Sequence, residues 1–295
     1  MEALPVNLWT RWLAFTGRPV DSRPLRLVRV LVPLCILGDL LAIVWRGAFS
    51  AVLLPESMGG LTDGSSWWSL VGGVWWGGPL LWALCVTAAP LVMRGGRLGR
   101  PALATLLVAY AQLGHLYPPG DRAIDRLLRT VLLLWLFSEA SSARPASRIA
   151  AWPADLLRWL LVMVYLQAGI VKIGAKPGFL HLHMNELYQI LSAPQVGRLD
   201  PVFWEPLMPL FFLGGVVTMA LEFSSPLLLT RFGPYWAFGG VLMHIGIAIG
   251  MDLGMFPFGM LALYPVLLWP FTIRVLDALA PWLPESWGPP DYSPS

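Results

Sequence analysis

Apolar runs of about twenty residues, separated by short arginine-bearing stretches, recur along this 295-residue chain. No other feature constrains its folding as much. About twenty apolar residues in a helix cross the ~30 Å hydrocarbon core of a bilayer, and a spanning segment must satisfy its backbone within itself. Charged residues make up only 13% of the chain, against roughly 25% in an ordinary soluble domain. Mean hydropathy is +0.65. The expected fold is therefore all-α: a polytopic helical bundle of about eight transmembrane helices. Spans are placed near residues 27–46, 74–93, 101–117, 126–143, 154–173, 208–230, 235–255 and 258–276.

Arginine placement gives the expected orientation. Arg11, Arg18, Arg23, Arg26 and Arg29 precede or open the first span. Arg94, Arg97 and Arg100 follow the second, Arg144 and Arg148 the fourth, and Arg231 the sixth; Arg274 ends the eighth. With eight spans all of these lie on one side, which puts both termini in the cytoplasm and the bundle in the inner (plasma) membrane. The first 25 residues read as a cytoplasmic amphipathic segment with no cleaved leader, residues 26–277 as one transmembrane domain, and 278–295 as a flexible Pro-rich tail. Residues 47–73 and 178–207 read as interfacial or re-entrant segments on the outer side.

Chemistry-bearing residues are few. Cys35 and Cys85 lie in apolar runs and form no C-x-x-C pair, which argues against zinc or dithiol chemistry. His181 and His183 lack an accompanying carboxylate cluster, so no metal is expected. No nucleotide-binding glycine loop or nucleophile elbow is present. The basic residues are eighteen arginines and two lysines, Lys172 and Lys176, both at the outer end of the fifth span. Arginine keeps its proton in proteins, whereas a desolvated lysine can give one up and act as a base. The competing role for such a lysine is to extend its amine to the headgroups. His244, Glu222 and Asp39 fall inside spans, where ionisable groups need a partner or a cavity. His115, Asp121, Asp125 and Asp252 fall on the outer side.

Four segments resemble the vitamin K-dependent gamma-carboxylase-like (HTTM) membrane family, and the first three agree with it in order and spacing. YLQAGIVKI at 165–173 resembles its A-G-x-x-K helix and LEFSSPLLL at 221–229 its acidic-then-apolar helix. MHIGIAIGMDLGMFPFGMLALYP at 243–265 resembles its histidine-to-G-M-F segment, and IDRLLRTVLLLWLF at 124–137 its fourth helix. The resemblance implies a short bacterial-type member with Lys172 as a base that deprotonates a quinol of the vitamin K or menaquinol type. His244 matches the histidine before G-M-F, and Asp125 falls near a family histidine. Gly246, Ile247 and Ala248 stand where carboxylases carry polar residues. The implied activity is that of a carboxylase or quinol epoxidase, a lyase or oxidoreductase acting on a peptide at the outer face. The alternative is a non-catalytic membrane protein for maturation, export or immunity of a secreted peptide. No nucleic-acid partner is expected.

Overall fold

The computed structural model describes residues 8–61, 70–71, 74–118, 121–139, 147–175, 186–193, 196–198, 200–283 and 287. Among these, helices dominate, and the one sheet has two three-residue strands. The chain divides into two compact units. Unit one is Met1–Pro153 with Leu276–Ser295, and unit two is Ala154–Val275.

In unit one, helix α1 (Leu8–Thr16) leads through strand β1 (Pro19–Asp21) into α2 (Arg23–Trp45). Then come α3 (Phe49–Leu53), α4 (Gly77–Arg94), α5 (Gly99–Leu116), α6 (Ala123–Phe137) and strand β2 (Arg148–Ala150). Helix α1 stops at Thr16, and the strand begins at Pro19. Contacts run α2 to α4, α4 to α5 and α5 to α6. Helix α2 buries Leu25, Val28, Val32, Ile36 and Leu40, one face at three- and four-residue spacing. Its other face leaves Leu34, Leu41 and Val44 exposed, as a lipid-facing helix does. Small residues, among them Ala88, Ala89, Ala102 and Ala109, are buried on α4 and α5 and let their backbones approach.

The α4–α5 turn needs glycine. Gly95 sits at φ +71 and Gly96 at φ +74, a region costly for residues with a Cβ. A Cβ on Gly95 would come within 2.8 Å of an Arg29 guanidinium nitrogen. Strands β1 and β2 pair antiparallel, with Val20 opposite Ile149. Arg23, buried at the start of α2, bridges Asp21 at 2.7 Å and Asp277 at 2.6 Å.

In unit two the long helix α7 (Trp152–Ala175) is followed by α8 (Glu186–Ser192), α9 (Pro201–Trp204), α10 (Met208–Phe223) and α11 (Gly233–Gly250). The remaining helices are α12 (Phe256–Leu261), α13 (Tyr264–Leu267) and α14 (Trp269–Leu279), whose residues from Leu276 on belong to unit one. Helix α10 ends in a 3₁₀ turn, Ser225–Leu229, because Pro226 cannot continue the hydrogen-bond ladder. Pro270 does the same after α13: it has no N–H to offer the Val266 carbonyl. Arg158 of α7 donates to that carbonyl at 3.3 Å, and the Thr272 hydroxyl donates to the Pro265 carbonyl at 3.0 Å. The break bends the chain by 89°.

Among the described residues four helical segments are long and apolar enough to cross a membrane: Arg23–Trp45, Gly77–Arg94, Trp152–Ile173 and Glu205–Phe223. The bent pair Phe256–Leu267 and Trp269–Trp282 makes a fifth if taken as one span. Helices also occupy the other three expected positions, but each falls short. Helix α5 carries Arg100, Gln112 and His115; α11 is thinned by five glycines and His244; α6 has 15 residues, about 22 Å of helix.

Gly95→Ala is expected to lower unfolding stability by about 1–3 kcal/mol. Gly99→Ala, at a helical φ with open space around the new Cβ, should change it little. Tryptophan-monitored thermal unfolding in detergent checks both.

Candidate functional site

The sequence-singled residues fall into separate clusters. In unit two, Lys172 lies in the last turn of α7. Its amine does not reach away from the protein; Nζ donates to Oε1 of Glu222, near the end of α10. The Lys172 side chain is 31% exposed and that of Glu222 only 5%. The other carboxylate oxygen, Oε2, is buried with no hydrogen-bond partner. Gly169, one turn before Lys172, makes this approach possible. A Cβ there would lie 3.2 Å from the Phe223 ring and 3.3 Å from the Glu222 Cβ.

Seven residues before Lys172, on the same face of α7, stands Tyr165. Its hydroxyl lies 2.7 Å from His244 Nε2 and 2.7 Å from the Tyr264 hydroxyl. All three side chains are buried. Gly240, one turn before His244 on α11, leaves room for Tyr264: a Cβ there would meet its hydroxyl at 2.1 Å. Trp236 packs edge-on to Tyr165, with centroids 4.9 Å apart, and its indole N–H donates to the Leu221 carbonyl and the Ser224 hydroxyl. Nδ1 of His244 is buried without a hydrogen-bond partner.

Lys172 and His244 therefore attach to one stripe of α7, at opposite ends of a segment Tyr165–Gly169–Lys172. Seven residues at 1.5 Å each separate Tyr165 from Lys172 by about 10 Å along the axis. A ligand reaching both would have to be elongated.

Asp125 belongs to unit one. It occupies the first turn of α6, where its carboxylate accepts from the Arg122 backbone N–H at 2.9 Å, closing the helix N-terminus as a capping box does. The Tyr110 hydroxyl donates to it at 2.6 Å, and Arg122 joins it to Asp39. Asp39, Tyr110, Asp121 and Asp125 line a pocket of about 70 Å³ together with Leu40, Ile43, Val52 and Leu53. Burial works against ionisation of Asp121, but hydrogen bonds from Arg129 and Arg126 outweigh it and hold its carboxyl below the usual range. Asp125 thus has a local structural role that its sequence position did not reveal.

Of the other candidates, His115 is exposed on α5 and Asp252 pairs with Arg198 at 3.5 Å. Lys176, His181 and His183 lie outside the described residues. Among the described residues no three His, Cys, Asp or Glu side chains gather to hold a metal. Comparison with protein-family models, curated proteins and solved structures gives no match.

Tyr165 and Tyr264 are the residues that sequence reasoning missed. A tyrosine inside an apolar helix needs a partner for its hydroxyl, and the 165–169–172 spacing puts Tyr165 in register with Lys172. Those two signals were present.

Tyr165→Phe leaves His244 Nε2 and the Tyr264 hydroxyl without their bonds, and is expected to cost about 1–3 kcal/mol. Tyr264→Phe keeps the Tyr165–His244 bond and should cost less. Melting temperatures of the purified variants should rank wild type first, then Tyr264→Phe, then Tyr165→Phe.

Proposed function

We propose that this chain is a multi-pass inner-membrane protein related to the gamma-carboxylase-like (HTTM) family. Its unit-two site abstracts a proton from a quinol, with Lys172 as the base. One observation carries the reading: the Lys172 amine turns inward to a buried carboxylate, Glu222, instead of extending toward headgroups. A snorkelling lysine would place its ammonium in the polar interface. A lysine brought against a carboxylate in an apolar setting is equipped to take and pass on a proton.

In this reading the quinol enters from the bilayer along the elongated stripe. Its reacting hydroxyl meets Lys172, and the remainder lies toward Tyr165 and His244. An acidic position on a secreted peptide, presented at the outer face, is the group finally modified. The topology has eight spans, with α2, α4, α5, α6, α7, α10, α11 and the bent α12–α14 each crossing and both termini in the cytoplasm. That count keeps the arginine-rich loops on one side.

A second reading has one observation in its favour. A lysine–glutamate pair between α7 and α10 also serves as a clamp between helices. That role suits a non-catalytic protein for maturation, export or immunity of a secreted peptide.

The two readings separate on Lys172→Arg, which keeps the charge but not the capacity to lose a proton. The protein, reconstituted in lipid, is supplied with reduced vitamin K or menaquinol, oxygen and carbon dioxide. Epoxide is then read by mass spectrometry. The base reading expects epoxide from the wild type and a loss of about a hundredfold or more in the arginine variant. No epoxide from the wild type, or full retention by Lys172→Arg, overturns it.

A further inference from the structure

We propose that Glu222 is a proton-accepting and positioning partner for Lys172, so that the two side chains work as one base. The action of this dyad on a quinol rests on the reading above; the dyad itself does not.

The two oxygens of Glu222 are treated unequally. Oε1 receives the Lys172 amine, while Oε2 is buried and has no hydrogen-bond partner. An ionised carboxylate in an apolar setting spreads its charge over both oxygens, and leaving one bare is costly. A carboxyl group with its proton on Oε1 leaves only a neutral carbonyl oxygen bare. Gly169 supports this arrangement by letting the Glu222 Cβ and Phe223 ring close against α7.

The proton has a defined path. It crosses from Nζ of Lys172 to Oε1 of Glu222: one N–H bond breaks, one O–H bond forms, and ammonium and carboxylate become amine and carboxyl. The amine lone pair then takes the proton of an acidic O–H on the substrate. That O–H bond breaks, a new N–H bond forms, and the electron pair stays on the substrate oxygen. Neither step consumes an oxidant or reductant. The exposure difference fits this division: Lys172, 31% exposed, meets substrate, and Glu222, 5% exposed, holds the proton behind it.

The test uses the fact that the chain has two lysines. The full-length protein in lipid nanodiscs is treated with limiting acetic anhydride at one fixed pH, and acetylation of Lys172 and Lys176 is read from their peptides by mass spectrometry. Acylation needs the amine lone pair, so a neighbouring proton acceptor speeds it. In Glu222→Gln the Lys172-to-Lys176 ratio is expected to fall by about tenfold or more. A clamp predicts the opposite sign, because losing the carboxylate releases the amine. An unchanged or raised ratio overturns the proposal.

Should Glu222→Gln fail to accumulate in folded form, Glu222→Asp supplies the same decision. It retracts the carboxylate by one methylene, and the ratio is expected to fall by about threefold; an unchanged or raised ratio again counts against the dyad. No quinol is present in this assay. Failure of the epoxide measurement therefore leaves the acetylation result standing, and failure of the acetylation result leaves the quinol reading to its own test.

Discussion

A backbone carbonyl or amide left without a partner in an apolar medium costs several kcal/mol, and that constraint governs both units. It accounts for the scarcity of strands and for the treatment of breaks. Where Pro270 withdraws an N–H, the Val266 carbonyl receives one from Arg158. Where α6 begins, Asp125 takes the Arg122 amide. Charged side chains here often complete a backbone ladder, which is why an acidic residue beside a helix start is poor evidence of chemistry by itself.

A second consequence concerns glycine. In unit two, Gly169 and Gly240 are two of the glycines that allow close approach, and each lies one turn from a residue of the candidate site. Without a side chain at 169 the Glu222 carboxylate reaches Lys172; without one at 240 the Tyr264 hydroxyl reaches Tyr165. The polar groups of the site meet because small residues beside them let the helices close.

The helical class was legible because hydropathy, charge scarcity and arginine placement all point to the same solvent. Helices stand at all eight expected positions, yet their adequacy as spans was harder to read. The window 126–143 runs past Phe137, where α6 stops, into Ser138, Glu139, Ser141 and Ser142, polar residues that mark the stop the window overran. Lys172 and Glu222 were each visible as ionisable residues in apolar runs. Their pairing was not, because they lie 50 positions apart and pairing depends on how each helix is rotated about its axis. Asp125 was singled out because it falls near a family histidine in the resemblance. Its capping role depends on a three-residue backbone geometry, and its bond to Tyr110 on a helix crossing.

The short pairing of β1 with β2 has a temporal meaning. Pro19 lies opposite Ala150, so a strand made near the start waits for a partner synthesised about 130 residues later. At ordinary ribosomal rates of roughly 5–20 residues per second, that is on the order of ten seconds. Five helices, α2 to α6, emerge in the interval. Until the second strand arrives, the first has unpaired edge groups open to other extended chains. Its brevity keeps that exposure small, and its late closure makes the pairing a latch on unit one rather than its nucleus.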